Sequence, residues 1–337
     1  MKRSEFEKNT SSRIQWIDNL KFFLMIFVIF GHVKNLCDSS VTGMKIASEF
    51  WVSWDIPAFV FLSGYFSYKS ISRIEVKEDL FRYIKRISLR MLLPLVVSIV
   101  ILRLITFGKI GSFSSMWFID FLFYSLFTYS CLSFVFRQKH FVSCLVYLLL
   151  SLGINKYYMM DMMWYFVFGL LFKRYDILNQ FVLKKSIGTN IMVEFVFTMS
   201  IVLFIFYTHD YKFYFNPLED LLISGLGYIY ILRILVALGF IISLIYLFER
   251  YDKQQVAGHS GGGKFTYYGS KTLPIYLYHE VILLGILEPY VKFDFQSISL
   301  IWLTDIGLCV ISFLICFIII DFSDRYRITR ILVLGEK

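Results

Sequence analysis

Long apolar runs recur along this chain and leave only short polar connections between them. They predict membrane-spanning helices at about 17–36, 50–68, 91–107, 116–136, 141–155, 159–172, 187–207, 221–248, 272–290 and 300–320. The fifth and sixth are short, and the eighth is long enough to tilt or break. The hydrocarbon of a bilayer gives a bare amide no partner, so helix is the conformation such runs must take. The predicted fold class is therefore all-α: a polytopic integral membrane protein of about ten transmembrane helices. Residues 1–337 read as one transmembrane domain, with 1–15 a cytoplasmic N-terminal segment and 321–337 a cytoplasmic tail. The first run is too long for a signal-peptide core and has no small-residue cleavage site after it, so it is expected to remain as an anchor.

Three ionisable side chains interrupt that first run: Asp18, Lys21 and His32. At about 100° per residue, the steps from Lys21 to His32 bring the two within roughly 20° of each other, about 16 Å apart along the axis. Asp18 falls on the same side, three residues before Lys21. One stripe thus carries a charge pair near one membrane face and an imidazole deep in the span. Ionisable groups at that depth normally face a protein interior or a watery cavity.

Composition agrees with the pattern. Of 337 residues, 58% are hydrophobic and 20% aromatic, and mean hydropathy is +0.65. A soluble domain cannot hide so much apolar surface. The net charge of +9 invites a nucleic-acid reading, but the placement of the charges argues against it. With the N-terminus in the cytoplasm, most Lys and Arg fall in the cytoplasmic segments, seven of them between 69 and 90. Outer segments hold only Lys34, Lys45, Lys109, Lys156, Lys212 and Lys292. That asymmetry orients both termini inward. Cys37, Cys131, Cys144, Cys309 and Cys316 show neither metal-ligand nor disulfide-framework spacing, and no metal is expected.

Further polar positions carry candidate chemistry. Asp55, just ahead of Pro57, lies in the outer half of the membrane like His32. It either holds one nitrogen of that imidazole or caps its own helix, which Pro57 starts or kinks. Arg82, Arg86 and Arg90 recur every fourth residue on one helical face, with Lys85 beside them. Such a stripe suits lipid headgroups or bidentate phosphate binding, and both readings stay open. Arg103 and Arg233 read as buried charges that either pair with Asp120 and Asp305 or bind a substrate. Trp117 opens the fourth span, where Trp ordinarily anchors at the interface. His279 either lines the same cavity as His32 or bonds to a neighbouring helix. Gly258–Lys264 nearly spells a phosphate-binding loop, but Phe265 follows the lysine and no strand precedes it, so it reads as a flexible linker.

These motifs together resemble the membrane-bound acyltransferase family 3, most closely its fucose 4-O-acetylase-like branch. The matching stretches are Ile17-Asp18-Asn-Leu-Lys21 with His32, Pro57 to Tyr65 (including Ser63-Gly64-Tyr65), the Arg86/Arg90/Pro94 run, Met116-Trp117-Phe118, and Thr272 to His279. The resemblance implies ten helices and transfer of an acyl group, usually acetyl from acetyl-CoA, to sugar hydroxyls of envelope polysaccharides. It makes His32 the catalytic histidine, Lys21 its basic partner, and the Arg86/Arg90 region the donor-binding loop. In that reaction Arg103, Arg233, Trp117 and His279 form the candidate substrate-binding set, for the sugar and the oxyanion. Many relatives have His where this chain has Asp55. The expected partners are acetyl-CoA, the sugar of an envelope polysaccharide or lipid-linked oligosaccharide, and the lipid bilayer, without nucleic acid. The expected location is the cell membrane. The rival class is a polysaccharide or glycolipid exporter or flippase that uses the same ionisable groups as a relay. A non-catalytic subunit of a glycan-assembly complex is the third.

Overall fold

A computed structural model describes residues 15–34, 50–106, 116–152, 159–184, 186–207, 227–256, 263–287 and 298–336. Residues 1–14, Cys37 and the loop 258–262 lie outside these, as do Lys45, Lys109, Lys156, Lys212 and Lys292. Among the described residues the architecture is all-helical, without strand. In chain order the helices are α1 (Gln15–Lys34), α2 (Asp55–Ile71), α3 (Lys77–Ile105), α4 (Trp117–Val135), α5 (His140–Leu152) and α6 (Met159–Arg174). They continue with α7 (Ile187–Tyr207), α8 (Gly227–Val256), α9 (Lys264–Gly269), α10 (Thr272–Glu280) and α11 (Ile298–Arg325). Six of them, α1, α3, α4, α7, α8 and α11, are long and apolar enough to cross a membrane.

The most buried of those six is α1. It is the hub of the fold, with α2, α8, α9, α10 and α11 all packed on it. Aromatic rings do much of that packing. Phe27 meets Trp54 edge-on at 5.1 Å, Phe23 stacks on the same indole at 6.4 Å, and Phe240 of α8 closes on it at 6.1 Å. Contacts of this kind add roughly 0.5–1.5 kcal/mol each beyond the area they bury. α9 comes closer still: a Cβ on Gly269 would lie 1.8 Å from the Asp18 carbonyl oxygen, so only glycine lets it touch α1 there.

Three features depart from the hydropathy reading. The basic run 77–90 and the third span form one continuous helix of 29 residues, about 43 Å long against a hydrocarbon core of about 30 Å. The polar end of α3 therefore extends beyond any bilayer, and Pro94 sits within it without ending it. Of the tilt or break expected in the eighth span, the break is absent: α8 runs unbroken for 30 residues. The ninth span is interrupted instead: α10 stops at Glu280 and continues as a widened π turn, Val281–Leu287.

The Ser63-Gly64-Tyr65 motif has a packing explanation. α2 and α6 cross so closely that a Cβ on Gly64 would fall 2.2 Å from the Phe166 carbonyl oxygen. One on Gly169 would fall 2.1 Å from that of Phe61. Small residues allow such backbone approach between membrane helices. Gly169→Val should cost at least about 1–3 kcal/mol by overpacking and lower the melting temperature of detergent-purified protein. Gly307→Val, at a site with nothing within 4 Å, should leave it unchanged. Equal melting temperatures for the two variants would contradict this crossing.

Candidate active site

The stripe on α1 is present. Lys21 Nζ lies 3.5 Å from Asp18 Oδ1, and the Asp18 carboxylate is almost wholly buried. Thr266 of α9 donates its hydroxyl hydrogen to Asn19 Oδ1 at 2.9 Å, which fixes this end of α1. Lys21 faces a cavity of about 360 Å³ between α1, α2, α3, α4 and α10, whose basic wall is completed by Arg86 and Arg90 of α3. Tyr83, Ser63, Ser67, Ser70 and Thr272 add hydroxyl groups. Toward the membrane interior the lining becomes apolar, with Met25, Phe59, Phe118 and Tyr276. Arg82 and Lys85, also on α3, are outside this lining. Arg82 turns to Asp79, its guanidinium 2.5 Å from Oδ1. Two of the four predicted donor-binding residues thus share the cavity and two do not.

At the other end of the stripe, His32 meets a carboxylate, but it belongs to Glu280. His32 Nδ1 is 3.2 Å from Glu280 Oε1. His279 joins them, its ring centroid 5.1 Å from that of His32 and its Nε2 3.9 Å from the same carboxylate oxygen. His279 Nδ1 lies 3.2 Å from the Ile275 carbonyl oxygen. A carbonyl can only accept, so Nδ1 carries a hydrogen, while Nε2 makes no hydrogen bond to the described residues. The His279 and Glu280 side chains are 0% and 2% exposed, whereas His32 is 34% exposed. An unpaired buried carboxylate costs several kcal/mol, so Glu280 requires the imidazole beside it.

Of the two roles open to Asp55, pairing with His32 is not what the structure contains. Asp55 is fully buried, and its carboxylate accepts the Ile56 backbone N–H at 2.6 Å. It lies in the first turn of α2, where backbone N–H groups lack partners within the helix. The helix-start reading of Asp55 therefore describes its contacts, and Glu280 takes the place at His32.

Tyr276 connects the cavity to this cluster. It lines the cavity, its ring lies 5.4 Å from that of His279, and it stands one turn before Glu280 on α10. His32 itself is not among the lining residues. Of the remaining candidates, Arg233 is buried, as is Asp305. Arg103 lies on an exposed face of α3 rather than buried inside the protein as expected for it. Trp117 is half-buried, while its neighbour Phe118 reaches the cavity.

His32, His279 and Glu280 bring ligand-capable atoms within 4.8 Å of one another. That set can hold a cation, and it equally suits proton sharing between two imidazoles and a carboxylate. Reading the sequence missed Glu280 and Tyr276. A carboxylate at the start of the apolar run Val281-Ile-Leu-Leu284 was the available signal for the first.

No curated protein and no solved structure is matched by the chain. The family description named acyltransferase domain matches residues 14–321, from the start of α1 into the last turns of α11. With this match over nearly the whole chain, the protein belongs to acyltransferase family 3 and is a multi-pass membrane acyltransferase.

Proposed function

We propose that this protein moves an acetyl group from cytoplasmic acetyl-CoA to a hydroxyl of a cell-envelope sugar. In this reading the protein sits in the cell membrane with ten crossings and both termini cytoplasmic. Four helices too short for independent spanning, α2, α5, α6 and α10, complete the bundle. The observation that carries the reading is that α1 ties a basic cavity at Lys21 to an imidazole–carboxylate pair at His32. Arg86 and Arg90 offer guanidinium forks to the donor's phosphates. The narrow apolar part of the cavity, toward Met25 and Tyr276, suits the pantetheine arm. The sugar acceptor follows from the likeness to the fucose 4-O-acetylase-like branch.

The chemistry follows from the proton positions. His32 Nδ1 stands 3.2 Å from Glu280 Oε1 without being hydrogen-bonded to it in this structure. In the reacting complex its hydrogen turns to that carboxylate, which leaves Nε2 with its lone pair as a general base. Nε2 takes the proton of the acceptor hydroxyl as its oxygen attacks the thioester carbonyl. The tetrahedral intermediate collapses, the C–S bond breaks, and the departing CoA sulfur takes the proton from His32 Nε2, which restores the base. The buried Glu280 carboxylate stabilises the imidazolium in between. His32 is exposed enough for an alcohol to reach it, whereas Glu280 and His279 are shielded from water.

Full-length protein, labelled acetyl-CoA and envelope glycan acceptors test this directly. His32→Ala should lower transfer by roughly 10³-fold or more, while the protein still accumulates in the membrane. Transfer at the wild-type rate in that variant would refute the assignment. Glu280→Gln should lower transfer by about 10²-fold with little change in donor KM, since it acts through His32. Arg86→Ala and Arg90→Ala should each raise donor KM roughly ten- to hundredfold, the scale of a lost charge-assisted hydrogen bond. Unaltered KM in both would leave them as lipid-facing residues. Transport of glycan without labelled product would favour the exporter class instead.

A further inference from the structure

The residues that follow α11 return to α3 and to the start of α10, two helices that wall the basic cavity. A short helical turn, Arg327–Thr329, and a wider one, Arg330–Leu334, lead into Gly335 and Glu336. Leu334 is buried and anchors the segment.

On one side the segment meets α3. Gly335 has φ +66°, in the left-handed region, and a Cβ there would lie 2.3 Å from the Arg90 carbonyl oxygen and 3.1 Å from Pro94 Cγ. Any side chain is thus excluded twice, by conformation and by space. The local sequence explains the seat. Pro94 has no N–H to give the carbonyl four residues earlier, so the helix is open on the Arg90 carbonyl, and Gly335 lies against it. Arg90 is a wall residue of the cavity.

On the other side the segment meets the start of α10. The Glu336 carboxylate accepts a hydrogen bond from Lys271 Nζ, and Asp324 Oδ1 stands 3.8 Å from the same ammonium. Asp324 has its own partners, Arg330 Nε at 3.0 Å and the Tyr267 hydroxyl at 3.2 Å. Lys271 is largely buried and directly precedes Thr272, Leu273 and Tyr276, which line the cavity, and Glu280, which faces His32. The two walls, remote in sequence, share one brace.

We infer that Arg327–Glu336 is a strap that sets the spacing of the donor cavity, with Gly335, Glu336 and Lys271 as positioning residues for acetyl-CoA. This rests on the donor-site reading of the cavity. The strap touches backbone at Arg90 and leaves its guanidinium free, so it governs where the charge stands without consuming it. Its ion pair also neutralises Lys271, so the cation beside the mouth is held by the protein.

The test is equilibrium binding of labelled acetyl-CoA to the purified full chain, with melting temperature recorded in parallel. Gly335→Ala, Glu336→Lys and Lys271→Glu should each weaken binding roughly ten- to hundredfold, the scale at which a small displacement of positioning groups is felt. The double variant Lys271→Glu/Glu336→Lys should recover most of the loss. Glu336→Gln, at a partly exposed carboxylate, should weaken binding while melting near the wild-type temperature. Wild-type affinity in all single variants overturns the strap. So does tighter binding, which would make the segment an obstruction, or a loss that the charge swap does not repair. A wild-type chain that binds acetyl-CoA but transfers no acetyl refutes the proposed reaction and leaves the strap standing. One that binds none removes both.

Discussion

The contact between His32 Nδ1 and Glu280 Oε1, at 3.2 Å, is the interaction on which the rest of the structure depends. A carboxylate deep among apolar helices persists only with a positive or hydrogen-bearing partner. Here the partner comes from a helix nearly the whole chain away. The two meet because α1 and α10 pack against each other, and α10 loses its regular winding immediately after Glu280. Widened turns of this kind recur at functional sites. This one places His279 and Glu280, adjacent in sequence, around one imidazole.

The same constraint accounts for the position of α1. A helix with a lysine near one end and a histidine near the other cannot face lipid along its polar stripe. It is accordingly surrounded, by α2, α8, α9, α10 and α11. Close approaches at Gly269 on one side, and interlocked rings around Trp54 on another, hold it there. The Lys21 end of its stripe faces a cavity whose basic wall is supplied by the protruding end of α3. Fold and chemistry thus share one element: the helix that needs the most burial also carries the candidate base.

The legible parts of this arrangement were those that break a local rule. Lys21 and His32 stood out as charges in an apolar run, and Arg86 and Arg90 as a basic face at helical spacing. The helices themselves follow from hydropathy, because lipid leaves the backbone no alternative. Partnership was not legible. Asp55 and Glu280 are both carboxylates within apolar segments, and sequence offers no distance to choose between them. Arg103 looked buried because it lies within an apolar run, yet its face of α3 is exposed. The strap was beyond reach for the same reason: Lys271 and Glu336 are joined only by tertiary packing. Gly335 shows a left-handed glycine after a helical segment, but its seat on Arg90 appears only in three dimensions.

Access is the central claim, since an imidazole within the bilayer acts on a thioester only if the thioester reaches it. In this structure the cavity ends at Tyr276 and Met25, with His32 beyond its lining. A cryo-electron microscopy structure of the full chain with coenzyme A bound measures that access directly. The account predicts phosphate density against Arg86 and Arg90, and the pantetheine sulfur past Tyr276 at roughly 3–4 Å from His32, a reactive separation. Coenzyme A bound elsewhere, or a sulfur halted in the cavity with Tyr276 sealing it from the imidazole, would contradict it.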